Sequence, residues 1–155
     1  MQPADFEASV RLAMARKFRA NVTAMPGAAA LLQQLQGLGI PYCIASNGPP
    51  EKMALTLSLS GLQAYFDKHV FSAYEVGHWK PSPELFLHAA REMAVGPGDC
   101  AVVEDSLPGI AAGLAAGMRV YSMCEAETIP ADIAGLIVQI DGLAQLAGAL
   151  GLRHR

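Results

Sequence analysis

Five short apolar runs, with helical spacing in the intervals between most of them, constrain this chain more than any other feature. They are IPYCIAS (40–46), HVFS (69–72), CAVVE (100–104), RVYSM (119–123) and LIVQI (136–140). Strands that are apolar throughout, rather than alternating apolar with polar, belong to a sheet buried on both faces. The predicted helices are 26–37 with Leu31, Leu32 and Leu35 on one face, 49–59, 82–94 with Leu85, Phe86, Ala89 and Met93 inward, 107–117, and 141–151. Strands and helices in this alternation predict a parallel sheet covered on both sides, a doubly wound α/β fold. Ahead of it, 3–19 carries Phe6, Val10, Met14 and Phe18 at helical spacing, with Arg and Lys toward the end, where a helix dipole favours cations.

Composition narrows the function classes. The chain has 155 residues, 52% hydrophobic and 16% charged, which is enough for one globular domain with a real core. A formal net charge of −3 leaves no basic footprint, so nucleic acid is not the expected partner. The most apolar stretch, LPGIAAGLAAGM (107–118), is too short for a membrane span and carries a proline. MQPADFEASV lacks the basic and then apolar regions of a secretory signal. Cys43, Cys100 and Cys124 are odd in number, two of them inside strand-like runs, and read as reduced core thiols of a cytoplasmic protein. Their spacing does not suggest a zinc site.

In parallel sheets ligands gather at the C-terminal ends of the strands. Here those ends are Ser46-Asn47-Gly48, the loop after Ser72, and Glu104-Asp105. Ser46, Asn47 and Gly48 offer a hydroxyl, free backbone amides and a helix N-terminus, which suit a phosphate; they suit a helix cap equally. Lys80, in GHWKPSPELF, is either a point charge for a phosphoryl group or a solvated lysine before a helix. Glu104 and Asp105 suit a hard cation such as magnesium, which takes oxygen ligands. They also read as an exposed charge and a cap for 107–117, a role open to Asp105 or Ser106. The four histidines, His69, His78, His88 and His154, show no metal-ligand spacing, and neither GxSxG nor a P-loop is present.

The ordered set SNG (46–48), WKPSPELF (79–86) and VVEDSLPGIAAGLAAGM (102–118) resembles the haloacid dehalogenase-like hydrolase superfamily, over roughly residues 20–150. Within it the set is similar to phosphatases of phosphoglycolate or sugar phosphates and to β-phosphoglucomutase. The resemblance implies a Rossmann-like core at 21–155, preceded at 1–20 by the remnant of a helical cap. It implies that Ser46, the Asn47 amide and Gly48 bind a phosphoryl group, and that Lys80 stabilises the phosphoryl charge and the nucleophile. Glu104 and Asp105 would then hold Mg²⁺, Asp105 being the surer ligand, and Lys80–Pro81 becomes a candidate cis peptide. The acidic pair favours phosphate-ester chemistry over carbon–halogen cleavage.

One departure stands against these matches. The superfamily's first strand ends in DxDG, whose first Asp is the nucleophile, and this sequence contains no DxDG. In the family that strand lies at the sheet centre, between the strands here at 40–46 and 100–104. The expectation is therefore a core missing its first, central strand, with those two strands pairing directly or another segment or chain filling the gap. The implied function is a Mg²⁺-dependent phosphatase of a small phosphorylated metabolite, acting through an aspartyl-phosphate whose aspartate this chain does not supply, so the chain alone is expected to be inactive. The alternatives are a non-catalytic binding or assembly module, self-associating through open strand edges, and a phosphomutase.

Overall fold

The computed structural model describes Ser9, Leu12, Ala13, Arg16, Lys17 and residues 19–152. Most of the expected cap remnant at 1–20 lies outside the described residues. In chain order the elements are α1 (Ala28–Gly37), β1 (Ile44–Ser46), α2 (Pro50–Ser60), α3 (Gln63–Phe66), β2 (Val70–Ser72), α4 (Ala73–Val76), α5 (Glu84–Glu92), β3 (Ala101–Glu104), α6 (Leu107–Ala115), β4 (Arg119–Ser122), α7 (Ala131–Ala134), β5 (Ile137–Gln139) and α8 (Leu143–Ala149).

Among the described residues all strand pairs are parallel, and they form two ladders, β1 with β2 and β3-β4-β5. The expected cover on both faces does not extend to β5, where Val138 and Gln139 are exposed. The first ladder aligns Ser46 with Ser72 and the second aligns Glu104 with Ser122, so the polar strand ends fall at the same end of each ladder. β1 is shorter than the expected 40–46. The Ile44 amide donates to the His69 carbonyl where β2 begins, and residues 40–43 precede that partner. Ile40 and Tyr42 still pack into the core without a ladder.

β1 and β3 do not pair directly. In a parallel ladder a residue directs both backbone groups to one neighbour, and the next residue directs both to the other side. The Cys100 and Glu104 carbonyls accept from the β4 side, at the Arg119 and Met123 amides. By that alternation Ala101 and Val103 present their backbone to the opposite edge, and Ala45 of β1 does the same.

The core lies in three clusters. Phe86, Ala90, Val102, Ile110 and Val120 join α5 and α6 to one face of β3 and β4, and Ala45 packs against them, so the two ladders share this core. Leu31, Leu35, Tyr121, Ile140 and Leu146 seat α1 and α8 on the other face. Leu32, Leu57 and Phe66 fill the space beside β1 and β2. Ile110 and Val120 are fully buried, each contributing about 1.5–3 kcal/mol. Gly113 permits this closeness: a Cβ there would stand 2.7 Å from Val120 Cγ2. Cys43, Cys100 and Cys124 are partly buried and unbridged. Among the described residues no helix is long and apolar enough to cross a membrane.

Candidate active site

A cleft of about 420 Å³ opens between the C-terminal ends of β1 and β3. Ala45 and Val103 line it, with Ser46, Asn47 and Lys80 on the β1 side and Glu104, Asp105 and Ser106 on the β3 side. The polar residues singled out in the sequence therefore meet at one place, except that Gly48 shapes the turn rather than lining the cleft. A larger groove between α1 and α8 is lined by apolar residues, glycines, Gln33 and Gln34, with no ionisable group.

The Ser46 hydroxyl accepts from the Gly48 amide at 3.0 Å, which closes the turn after β1 and leaves the hydroxyl proton for an acceptor. Ser72, at the end of β2, supports that turn: its hydroxyl donates to the Gly48 carbonyl at 2.7 Å and accepts from Tyr74 N–H at 3.2 Å. Gly48 then leads into α2, where Pro49 is the N-cap residue and Pro50 opens the first turn.

Asn47 has a role the sequence did not reveal. Its side-chain oxygen accepts from the Lys80 amide at 2.9 Å and its side-chain nitrogen donates to the Lys80 carbonyl at 3.3 Å. The carboxamide thus clasps the Lys80 backbone from both sides, tying the β1 turn to the segment before α5. The following Lys80–Pro81 bond is cis.

The Lys80 side chain is held as firmly as its backbone. Its ammonium pairs with Glu104 Oε1 and lies over the Phe86 ring, 4.7 Å from the centroid. Both partners are largely withdrawn from water, with side chains 10% and 7% exposed. The other carboxylate oxygen of Glu104, Oε2, accepts from the Ser106 hydroxyl at 2.9 Å, and that hydroxyl accepts from Gly109 N–H at 3.2 Å. Ser106, not Asp105, is thus the N-cap of α6.

With both Glu104 oxygens engaged, exposed Asp105 is the member of the acidic pair left facing the cleft. The donors offered here are oxygens, the chemistry a hard cation requires. Among the described residues no group of three or more His, Cys, Asp or Glu is arranged for a metal. Magnesium nonetheless fits such a site, because it usually keeps several waters and takes one or two carboxylates plus substrate phosphate.

Away from the cleft, Cys43 sits just before β1 and Cys100 just before β3. Burial first, and Cys100 second, push the Cys43 thiol up to about 11. Burial and then neighbouring Asp99 push the Cys100 thiol up as well. Neither is poised as a nucleophile.

Comparison with known proteins gives a consistent result. A family model for haloacid dehalogenase-like hydrolases matches residues 3–117. The chain is 39% identical over 114 residues to 6-phosphogluconate phosphatase of Escherichia coli, covering 74% of this chain and 50% of that protein. It is 38% identical over 113 residues to hexitol phosphatase A of the same organism, covering 72% and 49%. In three dimensions it superimposes on a hydrolase of Deinococcus radiodurans crystallised with bound phosphate and sodium. That match has a TM-score of 0.77 and 33% identity, covering 83% of this chain and 59% of the other. The chain spans about half the length of these two curated relatives.

Proposed function

This chain belongs to the haloacid dehalogenase-like hydrolase family, and from that premise we propose that its cleft is the phosphoryl site of a Mg²⁺-dependent phosphatase. The substrate class is a small phosphate monoester, of the sugar-phosphate or phosphoglycolate type, in a cytoplasmic setting. One observation carries the reading: Ser46, Lys80 and Asp105 line one cleft between strand ends, with Lys80 fixed at both backbone and ammonium. Sugar-phosphate phosphatases among the relatives support it.

In this reading the Ser46 hydroxyl and the Asn47 backbone amide donate to phosphoryl oxygens. The Lys80 ammonium, already desolvated against Phe86, offsets the negative charge that grows on those oxygens in the transition state. Asp105, with Glu104 beside it, would hold the metal, and bound Mg²⁺ supplies further charge neutralisation. The attacking carboxylate, which would form an aspartyl-phosphate that water then hydrolyses, comes from outside this sequence, since no DxDG occurs in its 155 residues. Whatever brings it must approach the cleft between β1 and β3.

Binding tests this more directly than turnover. Inorganic phosphate is expected to bind the chain, more tightly with Mg²⁺ than without, and Asp105→Asn is expected to abolish the Mg²⁺ effect. Synergy that survives Asp105→Asn rules out the metal assignment. Vigorous hydrolysis of p-nitrophenyl phosphate by the chain alone would show that it holds its own nucleophile. The absent motif and the edges of β1 and β3, which no strand pairs among the described residues, favour a second reading, a binding or assembly module that keeps the phosphate cleft and self-associates. A phosphomutase would use the same cleft residues.

A further inference from the structure

Glu104 does not reach Lys80 unaided. Its carboxylate lies over the first turn of α6, where Ser106 donates to Oε2 and the Gly109 amide donates in turn to Ser106. The backbone beneath the carboxylate is that of Gly109, which is buried. An ideal Cβ at position 109 would overlap the Glu104 carboxyl carbon and both of its oxygens. Relieving that overlap means displacing the carboxylate, the far end of the Glu104 side chain, and so breaking its contacts with Ser106 on one side and the Lys80 ammonium on the other.

We propose that Gly109 and Ser106 are positioning residues: they form a seat that fixes the Glu104 carboxylate and, through it, the place of the Lys80 ammonium on the cleft wall. The seat has two parts. Gly109 supplies the space, since it alone among residue types leaves the carboxylate room against the helix. Ser106 supplies the direction, since its hydroxyl both caps α6 and selects one orientation of the carboxylate. The seat also lies at a helix N-terminus, where the dipole favours an anion. Without it Glu104 must swing toward the cleft, carrying negative charge to where a phosphate would lie and freeing Lys80. The expected effect on phosphate rests on the phosphoryl reading above; the geometry of the seat does not.

The test uses the full chain and its Gly109→Ala, Ser106→Ala, Ser106→Thr, Glu104→Ala and Gly109→Ala/Glu104→Ala variants. Acetylation by acetic anhydride, read peptide by peptide in a mass spectrometer, reports how accessible Lys80 is, with Lys52 and Lys68 as internal references. Labelling of Lys80 is expected to rise severalfold in Gly109→Ala and Ser106→Ala while the references stay constant, and Ser106→Thr is expected to restore protection. In the Glu104→Ala background, Gly109→Ala should leave Lys80 labelling unchanged. It should there raise the melting temperature, as alanine for glycine does in an unobstructed helix. Unchanged Lys80 labelling in Gly109→Ala, or the same increment with and without Glu104, overturns the proposal. A uniform rise at all lysines in Gly109→Ala marks loss of the fold. The Ser106 pair then decides: Ala raising and Thr restoring uphold the seat, and no difference between them overturns it. Inorganic phosphate is titrated separately. Affinity about tenfold weaker in Gly109→Ala and Ser106→Ala is expected, the loss of one hydrogen bond to a charged group. A wild-type chain that binds no phosphate overturns the phosphoryl reading and leaves the labelling result to judge the seat.

Discussion

Replacing Lys80 with methionine removes the cation while keeping a side chain of similar length over Phe86. Glu104 is then left with its side chain 7% exposed and with Ser106 as its remaining side-chain donor. Breaking a buried ion pair by deleting one partner costs about 3–5 kcal/mol, because an uncompensated charge stays behind. The surviving Ser106 bond places this case near about 3 kcal/mol. For a chain of this length each kcal/mol moves the melting temperature by about 2–4 °C, so a fall of about 6–12 °C is expected. The double variant Lys80→Met/Glu104→Met removes both charges and sets two flexible apolar chains between Phe86 and Gly109. It is expected to lie within about 1 kcal/mol of the wild type, as when a buried pair is exchanged for apolar residues of similar volume. The measurement is thermal unfolding followed by circular dichroism at pH 7, with urea unfolding to check that the m-value is unchanged. A single variant as stable as the wild type would mean that the pair is solvated and worth the 0–1 kcal/mol of a surface bridge. A double variant that loses the sum of both single changes would mean that the two residues do not act on each other.

Two further outcomes follow from the same structure. Asn47→Ala should speed hydrogen exchange at the Lys80 amide about fivefold, the kinetic equivalent of about 1 kcal/mol for one hydrogen bond, whereas Asn47→Asp keeps the acceptor and should protect that amide; equal exchange in all three proteins would exclude the clasp. The Cys43 thiol, pushed up from its ordinary value of 9.0 to about 11, keeps its proton in the folded chain after the unfolded chain has lost it. Its contribution is therefore full below pH 9 and declines as pH rises from 9 toward 11. Cys43→Ala should flatten that alkaline limb in urea unfolding, and an identical pH profile in both proteins would refute the assignment.

Most elements were legible because the apolar runs and the helical spacing are long enough to show their period. What escaped did so for physical reasons. The single turns α3, α4 and α7 are four residues each, too short for any periodicity. Residues 40–43 have strand-like composition but precede the point where β2 comes alongside, and a strand is defined by its neighbour as much as by its residues. At the site, Ser46, Glu104 and Asp105 were legible because strand ends converge in a parallel fold, whereas Lys80, off any strand end, was favoured as a site residue only through the family resemblance. The Asn47 clasp was not legible, because it joins segments 33 residues apart; the Phe86 platform and the glycine under Glu104 were not, because each depends on how a side chain lies across the first turn of the helix that follows it. A cap at Ser106 was foreseeable from its place before Leu107 and Pro108; that the same hydroxyl serves Glu104 was not.

The separation of the two ladders gives the cleft a mechanical character. Ser46, Asn47 and Lys80 ride on one half of the molecule, and Glu104, Asp105 and Ser106 on the other. Backbone hydrogen bonds make a sheet stiff across its width, and none spans β1 to β3. Across that line the connection is made by side chains: the Lys80–Glu104 pair, the apolar cluster around Ala45, Val102 and Phe86, and on the other face Tyr42 packed against the cluster of Leu31, Leu35 and Tyr121. The distance between the two walls is thus set by side chains rather than by backbone, a caliper whose setting is held by one ammonium–carboxylate contact and by apolar packing on both faces.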